Sequence, residues 1–229
     1  MDLGLQNKVI LVTGGAGGIG RGIVDVLAGE SAIPVLVDRA AADSEAAVQA
    51  IHAAGGQAFA VTAELTHTED CRNAVGATIA RFGRIEGLVN NAGINDGVGL
   101  ESGDSERFLA SLRKNLLHYY EMAHFALPYL KPSRGAIVNI SSKVAETGQG
   151  GTSAYAAANG GRNALTREWA VELAPYGIRV NAVVVAECWT PLYASWIQSF
   201  PDPEAARRRI ESKVPLEQRM TTCAKIANM

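Results

Sequence analysis

Short, almost wholly apolar runs alternate with longer Ala-rich stretches whose apolar positions recur at helical period. The runs at 9–13, 34–38, 57–62, 87–90, 136–141 and 178–184 predict strands. The stretches at 19–29, 43–54, 69–82, 105–129 and 154–174 predict helices, the fourth with a break expected before Pro128. Strands separated by helices of this length imply βαβ units and a parallel sheet covered on both faces. Right-handed crossovers then favour an α/β doubly wound sheet of Rossmann type, with ligands at the strand carboxyl ends. There are no repeats or low-complexity linkers. The segment 191–203, with Trp196 and Phe200, reads as an insertion over the site, so a single domain is expected over 1–229, with a substrate lid at about 187–212.

Composition narrows the class. At 229 residues with 48% hydrophobic and 19% charged positions, the chain suits one full α/β domain and not a disordered segment. A net charge of −2 gives no electrostatic reason to expect nucleic acid or an anionic membrane as partner. Cys71, Cys188 and Cys223 lack paired metal spacing, so reduced thiols and no metal are expected. The apolar run after Lys8 is too short for a signal-peptide core or a membrane span, which makes the cytoplasm the expected setting.

The chemistry begins at Thr13-Gly-Gly-Ala-Gly-Gly-Ile-Gly20, after the first strand and opening the first helix. Gly14, Gly18 and Gly20 permit a tight turn and let a pyrophosphate approach backbone N–H groups at a helix N-terminus. A glycine string alone also marks a close-packed turn. Here Asp38 ends the second strand at about the ~20-residue offset at which an acidic side chain holds a ribose. Its carboxylate favours NAD, whereas the adjacent Arg39 is either a solvated loop charge or a group that admits the 2′-phosphate of NADP. Asn90-Asn-Ala-Gly93 follows the fourth strand, where its amides can line a cofactor or brace neighbouring loops.

These motifs resemble those of the short-chain dehydrogenase/reductase family over essentially the whole chain: the glycine loop, Asn-Asn-Ala-Gly, a Ser–Tyr pair and Asn181 in Ile-Arg-Val-Asn-Ala-Val. The resemblance implies a nicotinamide-dependent oxidoreductase. It makes Ser142 the residue that holds the substrate oxygen, Tyr155 the proton carrier, and Asn115 the anchor of a water-linked proton path. It places Ile19, Glu64, Leu65, Asn91, Ala92, Gly93 and Thr190 beside the cofactor. It also implies subunit packing of the two long helices, hence a homodimer or homotetramer.

Three departures stand out. Four residues after Tyr155 the family has a lysine that binds ribose and whose charge favours tyrosinate, and here stands Asn159. An amide can hydrogen-bond a ribose hydroxyl but carries no charge. A tyrosine at the reference pKa of ~10 is ionised to about one part in a thousand at neutral pH, so activity is expected to be reduced. A catalytically impaired, nucleotide-binding family member is the alternative. Arg162, two turns on, lies on the same helical face, but an exposed cation is the expectation there. Lys143 neighbours Ser142 on the opposite strand face. Val185-Ala186 replaces a Pro-Gly-like turn, and Met229 falls before the family's last strand, as in a fragment or an altered copy.

Within the family the resemblance runs to bacterial aldose dehydrogenases acting on L-fucose and related sugars, carried by the stretches at 95–101, 114–124, 141–155 and 186–193. It implies a sugar or other small alcohol as substrate. Asn95, Gln149 and Glu187, on loops at the sheet edge, are candidates to pair with its hydroxyls alongside Ser142 and Tyr155. Trp189, Tyr193 and Trp196 either face the sugar ring or pack upon one another.

Overall fold

The computed structural model describes residues 2–229. β1 (Val9–Thr13), β2 (Ile33–Asp38), β3 (Phe59–Thr62), β4 (Gly87–Asn90), β5 (Ala136–Ser142) and β6 (Arg179–Val185) form one sheet in the order β3-β2-β1-β4-β5-β6, all pairs parallel. Their side chains alternate between two cores, because successive strand residues point to opposite faces. Val9 and Leu11 pack with Met122, Leu130 and Trp169, whereas Ile10 and Val12 pack with Val24, Val48 and Ile51. Full burial of side chains such as Leu11 and Leu88 contributes about 1.5–3 kcal/mol each.

α1 (Gly18–Gly29) and α2 (Ala41–Ala53) cover one face, and α3 (Thr68–Phe82), α5 (His118–Ser133) and α6 (Ser153–Glu172) cover the other. Pro34 lies inside the parallel sheet without cost, since β3 pairs with β2 only from Val35 onward. Chain order reverses between β1 and β4, which opens a crevice at the strand carboxyl ends.

The long helix expected over 105–129 is divided, but not at Pro128. α4 (Ser105–Leu112) passes through a π-turn at Arg113–Leu117 into α5, which contains both Pro128 and Pro132. Asp104 caps α4 by accepting from Arg107 N at 2.8 Å. The π-turn puts one extra residue into the helix at the position of Asn115, and such turns recur at functional sites.

After β6 the chain forms β7 (Cys188–Trp189), α7 (Pro191–Ile197), α8 (Pro203–Glu211), β8 (Thr221–Thr222) and α9 (Cys223–Ala227). β7 and β8 pair in parallel, and α9 packs on α1, where a Cβ at Gly22 would meet Cys223 at 2.9 Å. No helix among the described residues is long and apolar enough to cross a membrane.

Candidate active site at the carboxyl edge of the sheet

The glycine loop is built for close approach. Gly14 and Gly18 adopt φ of +65° and +55°, a region that favours glycine. A Cβ at Gly20 would lie 2.0 Å from Gly14 O and 2.6 Å from Asn91 Nδ2, so only glycine fits there. Asn91 braces the loop, donating from Nδ2 to Thr13 O at 2.9 Å, while the buried Thr13 hydroxyl accepts from Asn91 N and Ala92 N. No side chain caps α1 at Gly17, and no atom lies within 4 Å of a Cβ built there. The first-turn amides therefore face an open edge suited to a pyrophosphate.

Asp38 ends β2 and holds the loop from the other side. Its two carboxylate oxygens accept from Ala16 N and Ala40 N, each at 3.0 Å. Each oxygen has a further lone pair with which to accept a ribose hydroxyl. The side chain of Arg39 is 76% exposed and lies 3.7 Å from Glu64. Glu64 turns back on its own loop and accepts from Thr66 N and Oγ1. Partial burial acts to raise its carboxyl pKa, but the Thr66 hydrogen bonds and the Arg39 charge outweigh that and lower it. Leu65 belongs to the core, and Ile19 packs against the α1 side of it.

Ser142 closes β5, and its hydroxyl accepts from Val144 N at 3.4 Å. Tyr155 stands half-buried in the first turn of α6. Asn115 is fully buried: its Oδ1 accepts from Ile94 N at 2.8 Å and its Nδ2 donates to Ser111 Oγ. α6 is tied to the sheet by a buried relay in which Asn90 donates to Asn139 and Asn139 donates to Thr166.

One expectation, that for Arg162, needs correction here. Asn159 is 0% exposed and its amide faces inward, donating to Tyr155 O at 2.8 Å and accepting from Arg162 Nη1 at 3.0 Å. Each end of the amide thus has one hydrogen bond within the protein. Arg162 is not an exposed helix cation but 3% exposed. Its Nε donates to Asn115 O at 2.8 Å, Nη2 donates to the same carbonyl, and Nη1 donates to Ile140 O at 3.0 Å. The guanidinium also stacks on Tyr119, 4.2 Å from the ring centroid. Arg162 thus occupies the backbone carbonyl of Asn115, the residue expected to anchor a water-linked path. The sequence signal was its place on a stripe that also carries Ala158, Thr166 and Trp169, with no acid three or four residues away.

The charge of Arg162 is felt by its neighbours. His118 is buried, and burial together with that guanidinium pushes its pKa down to about 3. Its Nε2 meets Lys114 O at 3.1 Å, and Nδ1 has no partner. Burial raises the Tyr119 phenol, which donates to Ile140 O at 2.9 Å.

Among the candidate substrate residues, Glu187 is committed within the protein. It pairs with Lys143 and accepts from Tyr193 OH at 2.7 Å. Burial and this carboxylate push the Tyr193 phenol up. Asn95 and Gln149 lie on exposed loops, Asn95 accepting from Gly97 N. The aromatics pack upon one another: Trp189–Tyr193, Tyr193–Trp196 and Trp196–Phe200 have centroids 6.2, 5.3 and 4.9 Å apart. Thr190 caps α7, and its side chain would lie 3.7 Å from a Cβ at Gly18, which brings the segment against the glycine loop. Among the described residues no cluster of His, Cys, Asp or Glu could hold a metal.

Comparison with known proteins agrees with this geometry. The family model described as short chain dehydrogenase matches residues 8–199. The L-fucose dehydrogenase of Bos taurus is 38% identical over 210 residues, covering 91% of this chain and 76% of that protein. Similar L-fucose dehydrogenases come from other mammals, so the named likeness is to mammalian enzymes and not to the bacterial ones the motifs suggested. The crystal structure of the Cj0485 dehydrogenase superposes with a TM-score of 0.94 at 40% identity, covering 100% of this chain and 87% of that one. An actinorhodin polyketide ketoreductase variant with NADPH gives 0.92 at 28% identity, covering 97% and 88%.

Proposed function

The chain belongs to the short-chain dehydrogenase family, and on that premise we propose that it oxidises a sugar, an aldose such as L-fucose, or another small alcohol, with NAD. The observation that carries this reading is the convergence on one sheet edge of the glycine loop, Asp38, Ser142 and Tyr155. When bound, the nicotinamide accepts the hydride. The amides of the α1 N-terminus would hold the pyrophosphate, Asp38 a ribose hydroxyl, and the edge formed by Asn91, Ala92, Gly93 and Thr190 the remainder. Ser142 orients the substrate oxygen through its hydroxyl, and Tyr155 takes the proton released from that oxygen.

Asp38 supports NAD over NADP because a carboxylate repels a 2′-phosphate, and Arg39 is drawn toward Glu64. The polar unit Lys143–Glu187–Tyr193 beside Ser142 supports a hydroxyl-bearing substrate, and residues 187–212 serve as its lid. A homodimer or homotetramer is supported by exposed apolar side chains on the long helices, Leu109, Tyr120, Tyr129 and Val171. A cytoplasmic setting fits three free cysteines.

A second reading, cofactor binding with little turnover, is favoured by two observations: Asn159 is uncharged, and Arg162 occupies the Asn115 carbonyl. Titrating NAD and NADP and assaying aldose oxidation beside Tyr155→Phe separates the two. Turnover abolished by the substitution supports the first reading. Binding without turnover supports the second, and no binding refutes both.

A further inference from the structure

Arg162 is a guanidinium inside the protein with no carboxylate partner among the described residues. Such a charge costs several kcal/mol to desolvate. The oxygens it contacts, Asn115 O, Ile140 O and Asn159 Oδ1, would be satisfied equally by neutral donors. The fold therefore keeps a positive charge where hydrogen bonding alone does not require one.

Its position is specific. Nη2 would lie 2.7 Å from a Cβ at Gly93, so the guanidinium sits directly behind an exposed glycine of the proposed cofactor-facing loop, and a side chain there would force it to shift. Through Asn159 it connects to the backbone carbonyl of Tyr155, through Ile140 to the strand that ends in Ser142, and through Asn115 to the π-turn. One cation thus links the three segments that carry the proposed chemistry.

Resting on the dehydrogenase reading, we propose that Arg162 is a positioning residue that supplies from inside the protein the positive charge absent at residue 159, with Asn159 as the neutral link between it and the Tyr155 turn. The exchange of roles is between two positions one helical turn apart, where two cations would repel each other. The titratable groups that feel Arg162 are His118 and Tyr119 from α5, and Tyr155 lies within electrostatic range of Tyr119; β5 and the Gly93 loop contribute backbone only. His118 stays neutral above its lowered range, so at neutral pH Arg162 is the fixed charge of the cluster.

The test compares native protein with Arg162→Gln, which keeps neutral donors, Arg162→Lys, which keeps charge, and the double variant Asn159→Lys/Arg162→Gln. Each is assayed for kcat, KM and the pH dependence of kcat. Melting temperature, cofactor affinity and the phenolate absorbance of Tyr155 at one alkaline pH, read as the difference from Tyr155→Phe, are followed alongside. Arg162→Gln is expected to lower kcat about 10²-fold and move the pH profile alkaline, with KM and cofactor affinity changed by less than about threefold. Its phenolate absorbance should fall. Arg162→Lys and the double variant should recover most of both signals. Equal behaviour of the Gln and Lys variants, or a native-like pH profile and phenolate signal in Arg162→Gln, overturns the assignment. Native protein that is silent beside an active double variant overturns it too. Cofactor binding without turnover in every variant refutes the dehydrogenase reading instead, and the phenolate difference then decides the role of Arg162 alone.

Discussion

The two sides of the crevice are held together by different means. Around β1 and α1, the loop from Thr13 to Gly20 is closed by backbone groups, by Asn91 and by Asp38, and contact distances admit only glycine at residue 20. Around α6 and the π-turn, the same closeness is achieved by a buried side chain, Arg162, inserted among carbonyls of two other segments. The first side leaves no freedom at Gly20, because a Cβ there would meet the backbone of Gly14. On the second, the proposed exchange of charge between residues 159 and 162 would leave the identity of either position open provided one cation remained. Constraint by backbone contact fixes residue identity; constraint by electrostatics fixes the charge and leaves its source open.

The largest expected effect lies on the first side. Gly20→Ala puts a Cβ into Gly14 O, and the steric cost should exceed about 4 kcal/mol and remove measurable cofactor binding by calorimetry. Retained binding would show that the loop can open and would weaken the contrast. Next, Tyr155→Phe should lower kcat about 10²- to 10⁴-fold while the melting temperature holds, as read by steady-state kinetics and thermal scanning.

On the second side, Asn159→Lys alone should not help. It removes the amide oxygen that accepts from Arg162 and places a like charge one turn away, costing about 2 kcal/mol or roughly 4–8 °C in melting temperature. An unchanged melting temperature would mean that the lysine escapes the guanidinium. The smallest effect concerns His118. Its folded pKa is lowered to about 3, so the unfolded chain binds the extra proton first. Stability is then full above the unfolded value of about 6.5 and falls as pH drops from there toward 3, by at most about 1.4 kcal/mol per pH unit. His118→Gln should flatten that slope in urea titrations; an unaltered slope would show that other groups set the acid limb.

The parallel sheet, its strand runs and the tight glycine loop were legible because each depends on local pattern: apolar runs of strand length, glycines at fixed offsets and an acid ending β2. The π-turn was not, because residues 105–133 keep good helical period throughout and only the tertiary position of Asn115 shows where the extra residue enters. Glu187 was recognised as a polar group at the edge, but its engagement by Lys143 and Tyr193 joins segments separated by about forty residues in sequence.

By itself, then, the sequence determined the architecture, the glycine loop and the absence of lysine at residue 159, since these are read from spacing and residue type. Only the tertiary structure decided where the neighbouring cation, Arg162, lies. Whether Arg162 is solvated or buried depends on whether the carbonyls of Asn115 and Ile140 converge on it, and that convergence exists only once α6 is packed between the π-turn and β5.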